Sequence, residues 1–370
     1  MIRFLLVGAL SFAAATAQAA ERAPAPQGQA PAPKSTQQFP TPIPMGTSCG
    51  NWITNSPFIY TGTCGMKVRS LSIPGLKGIL SNNHVLGAGG ADLCPNEATP
   101  LGTLSLHPGT LDIGFIPADP TPFAVGVVGG FVPLNFSPGA SNLVDAAIAL
   151  TNDTLASTTI MGLGDPTPAP KWAVPGMVVT KTGRTTNTTE GTVLSVNTTS
   201  NVNYGSCGTA RFIGQTVIFP ASFSDSGDSG SVILEQSTNT PVGLLFAGNA
   251  VSTIANQINF VYATMGFFVD AAAEPGNVAS RQDLATAIQQ QQPDPRTEAM
   301  RAVQASAEPL LFSNPNVTAV GIGLAEDGEG LAMIVYSKGN AARTARELPR
   351  RFRGAPVRVV RGEEYSAYNW

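Results

Sequence analysis

The chain has 370 residues, of which 43% are hydrophobic and 12% are charged, and its formal net charge at pH 7 is −3. A chain of this length can bury a substantial core, and so small a net charge argues against partners recognised by strong electrostatic attraction, nucleic acid among them. The 39 glycines and 30 prolines predict a mainly β fold with many short strands joined by turns. The sequence contains no phosphate loop, dinucleotide fingerprint or metal-ligand cluster, so we expect no cofactor and no metal.

Residues 1–20 have the organisation of a secretory signal peptide. A short basic start is followed by an apolar core at residues 4–10 and a small-residue cleavage site at residues 17–19, with Ala20 as an alternative end. The apolar core is too short to cross a membrane, so we expect export to the periplasm or the cell exterior and no membrane span. Residues 21–45 are rich in proline, alanine and glutamine, which predicts a disordered linker.

The two histidines of the chain lie in different surroundings. His84 follows the apolar run Gly78–Asn82, which predicts a strand that ends in a loop, a common position for a catalytic side chain. His107 is followed by Pro108 and Gly109, a pattern that predicts a surface turn. A structural role explains a single histidine equally well, so His84 becomes a candidate base only together with a nucleophile.

A carboxylate that orients an imidazole is expected within apolar sequence, because a buried acid fixes the tautomer and stabilises the imidazolium. Asp145 fits this description, since it lies in the apolar segment Leu143–Leu150. Asp112 is the alternative and lies closer to His84 along the chain; we favour Asp145. A turn or strand-edge position with a local hydrogen bond would also account for either aspartate.

The segment Gly227–Ser231 reads Gly-Asp-Ser-Gly-Ser. Glycines let a backbone curl until successive N–H groups point at one spot, where they can stabilise the oxyanion formed when a serine attacks a carbonyl. An ordinary glycine-serine turn has the same composition. With His84 and Asp145 upstream, Ser229 becomes the candidate nucleophile of a triad in the order His, Asp, Ser.

This order is typical of chymotrypsin-like double barrels. The chain resembles chymotrypsin-fold (trypsin-like) serine peptidases, specifically a secreted bacterial group with plant relatives. Five segments, within roughly residues 45–270 and in the family's order, carry the resemblance: Ile79–Leu86, Val144–Ala149, Lys181–Thr186, Gly227–Ser231 and Pro241–Gly248. The resemblance implies a chymotrypsin-like double β-barrel in residues 46–273 and peptide hydrolysis by His84, Asp145 and Ser229.

The resemblance implies further roles around Ser229. The backbone N–H groups of Gly227 and Ser229 would form the oxyanion hole, and the Asp228 carboxylate would turn inward to hold the loop. Animal relatives pair that carboxylate with a new N-terminal ammonium, but no matching activation sequence occurs here. Arg184 or Lys181 is therefore expected as the cation, because a buried carboxylate needs one; a solvated loop charge is the alternative for both.

Specificity is also inferred from the resemblance. The position at the base of the family's primary pocket, six residues before the nucleophile, is Phe223 here. Phe246 and Gly248 belong to the pocket-wall strand, which also binds substrate backbone by strand addition. A phenylalanine argues against a preference for Lys or Arg and favours small or apolar side chains, unless a shift in register brings in Asp225.

Export makes disulfides possible, and the four cysteines are at positions 49, 64, 94 and 207. Their scattered spacing argues against zinc. Of the three possible pairings we favour Cys49–Cys64, which closes a short loop, together with Cys94–Cys207, which joins the two barrels.

The C-terminal part predicts a helical linker at residues 274–296 and a small α+β accessory domain at residues 297–370, with the order β-β-α-β. Arginines interleaved with glutamates favour solvated faces over nucleic-acid binding. Folding assistance, autoinhibition and partner recognition are open hypotheses for this domain. Residues 365–370 are expected to form a last strand, with docking in a cleft as the alternative.

The sequence as a whole predicts an exported serine endopeptidase that acts on a protein or peptide substrate through an acyl-enzyme. A non-catalytic binding protein on the same scaffold and a serine esterase or acyltransferase are the alternatives, because a fold does not determine an activity. The sequence does not indicate an oligomeric state.

Overall fold

The computed structural model describes residues 34–370 apart from 54–60, 90–93, 97–101, 271–292 and 368–370. The predicted signal peptide, the predicted linker up to residue 33 and most of the predicted helical linker 274–296 lie outside the described residues. Among the helices of the described part, none is both long and apolar enough to cross a membrane.

Seven short strands form the first barrel. They are β2 (Thr47–Asn51), β3 (Gly62–Cys64), β4 (Met66–Ser70), β5 (Lys77–Ser81), β6 (Leu104–Leu106), β7 (Ala124–Phe131) and β8 (Ala147–Thr151). β3 and β4 are two halves of one strand, interrupted at Gly65, where a Cβ atom would overlap the Gly230 carbonyl. The pairings are all antiparallel and close the cycle β2–β3/β4–β5–β8–β7–β6. Closure removes the exposed strand edges that an open sheet would have.

Six further strands form the second barrel. They are β10 (Val178–Gly183), β11 (Asn187–Asn203), β12 (Thr209–Phe219), β13 (Val232–Glu235), β14 (Thr240–Gly248) and β15 (Thr253–Gln257). Their antiparallel pairings close the cycle β10–β11–β12–β15–β14–β13. Counted within each barrel, both cycles run 1-2-3-6-5-4. Two consecutive six-stranded barrels with this shared order confirm the predicted chymotrypsin-like double barrel.

Shorter elements complete the peptidase-like part. They are the strands β1 (Ile43–Met45), β9 (Ala156–Ile160) and β16 (Phe267–Val269), the helices Thr110–Ile113 and Ile258–Met265, and the 3-10 turns Thr121–Phe123, Gly205–Cys207 and Ala221–Phe223. β1 pairs in parallel with β9, and Ile43 and Met45 are fully buried. The prediction of a disordered linker through residue 45 is therefore wrong at its end, because two apolar side chains anchor the proline-rich segment in the core.

The C-terminal residues extend the sheet of the second barrel. Their strands are β17 (Val317–Leu324), β18 (Leu331–Ser337), β19 (Arg351–Phe352), β20 (Ala355–Arg361) and β21 (Tyr365–Ala367), and their helices are Pro295–Leu311 and Ala341–Glu347. β17 pairs with β11, β18 with β17, and β20 lies parallel to β18. The small α+β character and the β-β-α-β order are confirmed. The sheet is continuous with the barrel because β11, at 17 residues, extends past β10: β10 pairs with Asn187–Thr192, and β17 pairs farther along the same edge, with Ser195–Ser200.

One of the two predicted disulfides is present. Cys94 and Cys207 are bonded, with an S–S distance of 1.98 Å, whereas Cys49 and Cys64 are free and buried. The prediction of a Cys49–Cys64 bond is wrong in this structure: in the β2–β3 register Cys64 lies opposite Thr47, so the two cysteines are offset along the strands. Burial, and secondarily a hydrogen bond with Cys49, raises the pKa of the Cys64 thiol, which disfavours the thiolate that oxidation requires.

His107 is buried, which makes the prediction of a surface turn wrong. Its Nδ1 lies 2.7 Å from the Ser48 carbonyl oxygen, and its Nε2 accepts the Phe39 N–H at 3.1 Å. A neutral ring with its proton on Nδ1 satisfies both contacts. Burial lowers the pKa of His107, opposed in part by the Ser48 hydrogen bond and by Asp112.

We expect two free thiols in each chain. Alkylation of the unreduced, denatured protein should modify Cys49 and Cys64 and leave Cys94 linked to Cys207, as read by mass spectrometry of the peptides. The same treatment after reduction should modify all four cysteines. A cross-linked peptide that contains Cys49 and Cys64 would contradict the structure.

Acid should weaken the fold through His107. A histidine whose folded-state pKa lies below its unfolded value of about 6.5 contributes stability that is complete above that value and is lost as the pH falls toward the folded-state pKa. The free energy of unfolding in urea should therefore decline between about pH 7.5 and about pH 5.5. The decline should be smaller in His107→Gln, which cannot titrate, and identical declines in the two proteins would argue against this origin.

Candidate active site

His84 lies directly after the first-barrel strand β5, in the π-helical turn Asn83–Gly87. Its ring and the Asp145 carboxylate are both buried, and Nδ1 lies 2.5 Å from Asp145 Oδ2. The backbone N–H of His84 donates to Asp145 Oδ1 at 3.2 Å. The carboxylate therefore fixes both the main chain and the ring of His84, and it leaves Nε2 as the nitrogen that faces away from the acid.

Asp145 makes two further hydrogen bonds with residues of the second barrel. The Tyr204 hydroxyl, just after β11, donates to Asp145 Oδ2 at 2.8 Å. The backbone N–H of Asp145 donates to Asn256 Oδ1 at 3.0 Å. Sequence reasoning missed Tyr204 and Asn256, because no local motif marks a residue that meets its partner only when two barrels pack together. The Tyr204 hydrogen bond offsets part of the cost of burying the carboxylate charge, and the Asn256 contact fixes the backbone that carries it.

Asp112, the rival of Asp145, lies elsewhere. Its carboxylate accepts two hydrogen bonds from the Arg184 guanidinium, at 2.7 and 2.8 Å, and one from the Ser48 hydroxyl at 2.6 Å. This forked ion pair uses both carboxylate oxygens. Of the two candidate aspartates, the structure brings only Asp145 to His84.

The loop that carries Ser229 depends on its glycines. Gly227 and Gly230 both have φ of +94°, a conformation that L side chains rarely adopt. A Cβ atom at Gly227 would also lie 2.5 Å from Thr185 Oγ1 and 2.6 Å from Arg184 Nη1. The Ser229 carbonyl accepts the Thr63 N–H at 2.8 Å, which ties the loop to the first barrel.

The backbone N–H groups of the loop alternate in their use. Those of Asp228 and Gly230 donate to the carbonyls of Asp225 and Leu245, at 3.0 and 2.9 Å. Those of Gly227 and Ser229 have no acceptor among the described residues. Two unused N–H groups that flank one residue are the arrangement expected of an oxyanion hole.

The hydroxyl of Ser229 is not hydrogen-bonded to His84 in this structure. Ser229 Oγ donates to the Phe246 carbonyl at 3.3 Å, and the buried His84 Nε2 has no hydrogen-bond partner within the described residues. Both side chains are at most 1% exposed. Hydrogen bonds between catalytic groups are often long in substrate-free sites and tighten on binding.

Lys181 is the cation that pairs with Asp228. Both residues are fully buried, and Nζ lies 3.2 Å from Asp228 Oδ2. Asp228 also accepts the backbone N–H groups of Thr185 and Thr186, at 2.8 and 3.1 Å. Burial lowers the pKa of Lys181, although the carboxylate acts in the opposite direction. The expectation that the charge of Arg184 holds Asp228 is wrong, because Asp112 takes that charge and Arg184 reaches the loop only by packing against Gly227.

The pocket residues carried over from the resemblance are placed unequally. Phe223 is fully buried in the core of the second barrel with Val179, Val193 and other apolar residues, so its proposed place at the base of an open pocket is wrong. Phe246 is buried against Phe212, and its carbonyl faces Ser229. Gly248 lines a cavity near the Ser229 loop together with Ser226, Asn249, Ala250, Lys338, Glu363, Glu364, Ser366 and Ala367. Of the three carried-over residues only Gly248 lines this cavity, and five of the other lining residues belong to the C-terminal unit.

Comparisons with known proteins concern the fold. No family model matches the chain, and no curated protein matches it. Solved structures that are similar include Thermobifida fusca protease A, with 18% identity, a TM-score of 0.41, and 62% of this chain and 99% of that chain covered. Cellulomonas bogoriensis chymotrypsin has 17% identity and a TM-score of 0.39, with 61% of this chain and 97% of that chain covered. Nocardiopsis protease has 17% identity and a TM-score of 0.40, with 61% of this chain and 98% of that chain covered.

Removing the Lys181 charge should destabilise the chain strongly. Lys181→Met leaves a buried carboxylate without a counterion, which costs about 3–5 kcal/mol. Lys171→Met is the matched control, because the Lys171 side chain is 47% exposed where it pairs with Glu235, and an ion pair with a solvent-exposed partner contributes about 0–1 kcal/mol. Urea unfolding measures both. If Lys181→Met costs the same in an Asp228→Asn background as in the wild type, the pairing does not carry the effect.

Proposed function

We propose that the protein is an exported serine endopeptidase in which Ser229 is the nucleophile, His84 the general base and Asp145 the residue that orients the base. The observation that carries this proposal is the buried His84–Asp145 pair beside a glycine loop with two unused N–H groups. A buried charge and unsatisfied backbone N–H groups both cost free energy in a folded protein. Buried charged pairs of this kind cluster at functional sites.

In the proposed first step, Ser229 Oγ attacks the substrate carbonyl carbon and its proton passes to His84 Nε2. The carbonyl oxygen becomes an oxyanion held by the N–H groups of Gly227 and Ser229. Asp145 stabilises the imidazolium through Nδ1–H and remains ionised. The C–N bond then breaks, and His84 returns the proton to the leaving amine.

The second half repeats this chemistry with water. After the amine leaves, Ser229 Oγ carries the acyl group as an ester. A water oxygen attacks the carbonyl carbon of this ester while His84 Nε2 takes one of the water protons, and the N–H groups of Gly227 and Ser229 hold the new oxyanion. Collapse of the intermediate breaks the ester bond, releases the acid and returns the proton to Ser229 Oγ. Before the first half, the Ser229 hydroxyl has to leave the Phe246 carbonyl and turn toward His84.

A second candidate function is a binding protein that keeps the scaffold without the chemistry. The hydrogen bond from Ser229 Oγ to Phe246 and the burial of Ser229 favour this alternative. The geometry of the His84–Asp145 pair favours the enzyme, because a binding surface needs no oriented imidazole.

A fluorophosphonate probe tests the proposal on the purified protein. Wild type should be labelled at Ser229, and Ser229→Ala and His84→Ala should not be labelled. Ser222→Ala is the matched control, because Ser222 is an exposed serine in the same segment between β12 and β13 as Ser229. This substitution should leave labelling unchanged. Asp145→Asn should lower kcat on the order of 10⁴-fold, the effect of a histidine held in the wrong tautomer.

The same preparation separates the remaining alternatives. A peptide amide and an ester that share one acyl group should both be turned over by a peptidase, whereas turnover of the ester alone would indicate an esterase. If fluorophosphonate labels neither the folded wild type nor a folded variant with a weakened C-terminal strand, described below, the result would favour the binding protein.

A further inference from the structure

The C-terminal strand β21 lies against the edge of β14 next to the candidate site. In antiparallel pairing, Ala367 lies opposite Ala247 and Ser366 opposite Gly248. On its other side β21 runs parallel to the end of β11, with Tyr365 opposite Val202. The strand is therefore inserted between two strands of the second barrel.

The same edge of β14 is occupied in sequence order by groups of the site. Leu245 exchanges backbone hydrogen bonds with Gly230 and Ser231, at 2.9 and 3.0 Å. The next carbonyl, that of Phe246, accepts the Ser229 hydroxyl. β21 takes the two positions that follow, so it begins one residue away from the group that holds the candidate nucleophile.

Side chains of β21 hold it in place. Tyr365 is 1% exposed and its hydroxyl lies 2.9 Å from Ser252 Oγ. Tyr365 and Ala367 share an apolar cluster with Tyr204 and Phe246, which contact Asp145 and Ser229. Ser366, between the two buried residues, is exposed. The strand is thus an amphipathic three-residue segment with its apolar face toward the site.

The segment before β21 is also fixed. The Gly362 N–H donates to the Ser337 carbonyl at 2.9 Å, and the Asn249 side-chain amide donates to the Glu363 carbonyl at 3.0 Å. Lys338 and Glu364 form an exposed ion pair at 2.6 Å. These contacts join β18, β21 and the loop that follows β14, so the segment that precedes β21 is held in place by the C-terminal unit and by the second barrel.

An extended peptide binds a sheet edge by adding a strand to it, with main-chain hydrogen bonds that do not depend on its side chains. An edge can accept one strand at a time on a given side. On this basis we infer that β21 is an intramolecular inhibitor, which occupies in cis the edge at Ala247 and Gly248 where an extended peptide substrate would pair. The competition with a peptide substrate rests on the proposed function, whereas the pairing of β21 with this edge does not.

Self-inhibition of this kind raises the apparent KM and leaves kcat unchanged. When the site is free in only a fraction of the molecules, its apparent dissociation constant for substrate is the intrinsic constant divided by that fraction. Once substrate is bound, the site turns over normally. Weakening β21 should therefore raise kcat/KM through KM, by a factor on the order of 5–150, the usual range of coupling between two binding events.

The test uses the full chain with one changed residue. Ser366→Pro removes a backbone N–H from a strand that is paired on both sides, and proline is disfavoured inside a sheet. Ser366→Ala is the matched control, because it keeps that N–H and alters only an exposed hydroxyl. Tyr365→Ala, which deletes the buried anchor, is a second and independent way to weaken the strand.

Two readouts are measured on these variants: kcat and KM on a peptide substrate, and hydrogen–deuterium exchange of the peptide that covers residues 243–249. We expect Ser366→Pro and Tyr365→Ala to lower KM and to speed exchange at residues 247–248, with Ser366→Ala like wild type. A synthetic peptide of residues 362–370 should then inhibit Ser366→Pro more strongly than it inhibits wild type.

Unchanged exchange together with unchanged KM in both weakened variants would overturn the inference and leave the proposed function standing if Ser229 is still labelled. Faster exchange without turnover or labelling in any variant would overturn the proposed function, and would support β21 as the occupant of a peptide-binding edge. Faster exchange with turnover but an unchanged KM would show that substrate does not compete with β21, and so would overturn inhibition.

Discussion

The candidate site depends on one buried carboxylate that two barrels share. Asp145 belongs to the first barrel, and so does the His84 ring that it orients, but Tyr204 and Asn256 reach it from the second. An unpaired charge at this depth would cost several kcal/mol. The Tyr204 hydroxyl, which reaches the carboxylate itself, compensates part of this cost only when the two barrels are packed together. The same packing brings the Thr63 N–H against the Ser229 carbonyl, so contacts between the barrels hold both the histidine–aspartate pair and the Ser229 loop.

A second buried carboxylate, that of Asp228, fixes the loop of Ser229 to β10 and the residues that follow it. Asp228 turns away from solvent and accepts hydrogen bonds from Lys181, Thr185 and Thr186, all of which lie in or after β10. The cation comes from within a barrel strand, so the pairing does not depend on either end of the chain. Burial lowers the pKa of Lys181, and the Asp228 carboxylate opposes that shift because it favours the charged ammonium.

Much of the site could be predicted because it is written in local sequence. A polar turn after an apolar strand marked His84, apolar neighbours marked Asp145, and glycines that require positive φ marked the Ser229 loop. The rest depends on long-range geometry. Counting six residues back from Ser229 assigned a pocket role to Phe223, but a phenylalanine gains more from the barrel core, where it is fully buried.

The choice between Arg184 and Lys181 shows the same limit. Both lie close to Asp228 along the β10 hairpin, and composition cannot tell which one points inward. In the structure Lys181, within β10, reaches Asp228, whereas Arg184, beyond the end of β10, reaches Asp112. The N-terminal boundary of the fold was likewise missed, because proline content outweighed the two apolar residues Ile43 and Met45 that anchor it.

The C-terminal unit changes the way in which the barrels have to be understood. A closed barrel has no free edge along most of its length. The pairing of β13 with β14 stops at Leu244, because the chain before β13 forms the Ser229 loop. The nucleophile loop therefore leaves the last residues of β14 without a β13 partner on that edge. Any backbone that satisfies this edge must lie beside Ser229, whether it comes from another molecule or from the same chain. Here it comes from the same chain, carried by a sheet that β11 makes continuous with the barrel. The apolar cluster that buries Tyr365 also contains Tyr204, the donor to Asp145, so the strand and the histidine–aspartate pair share one packing environment.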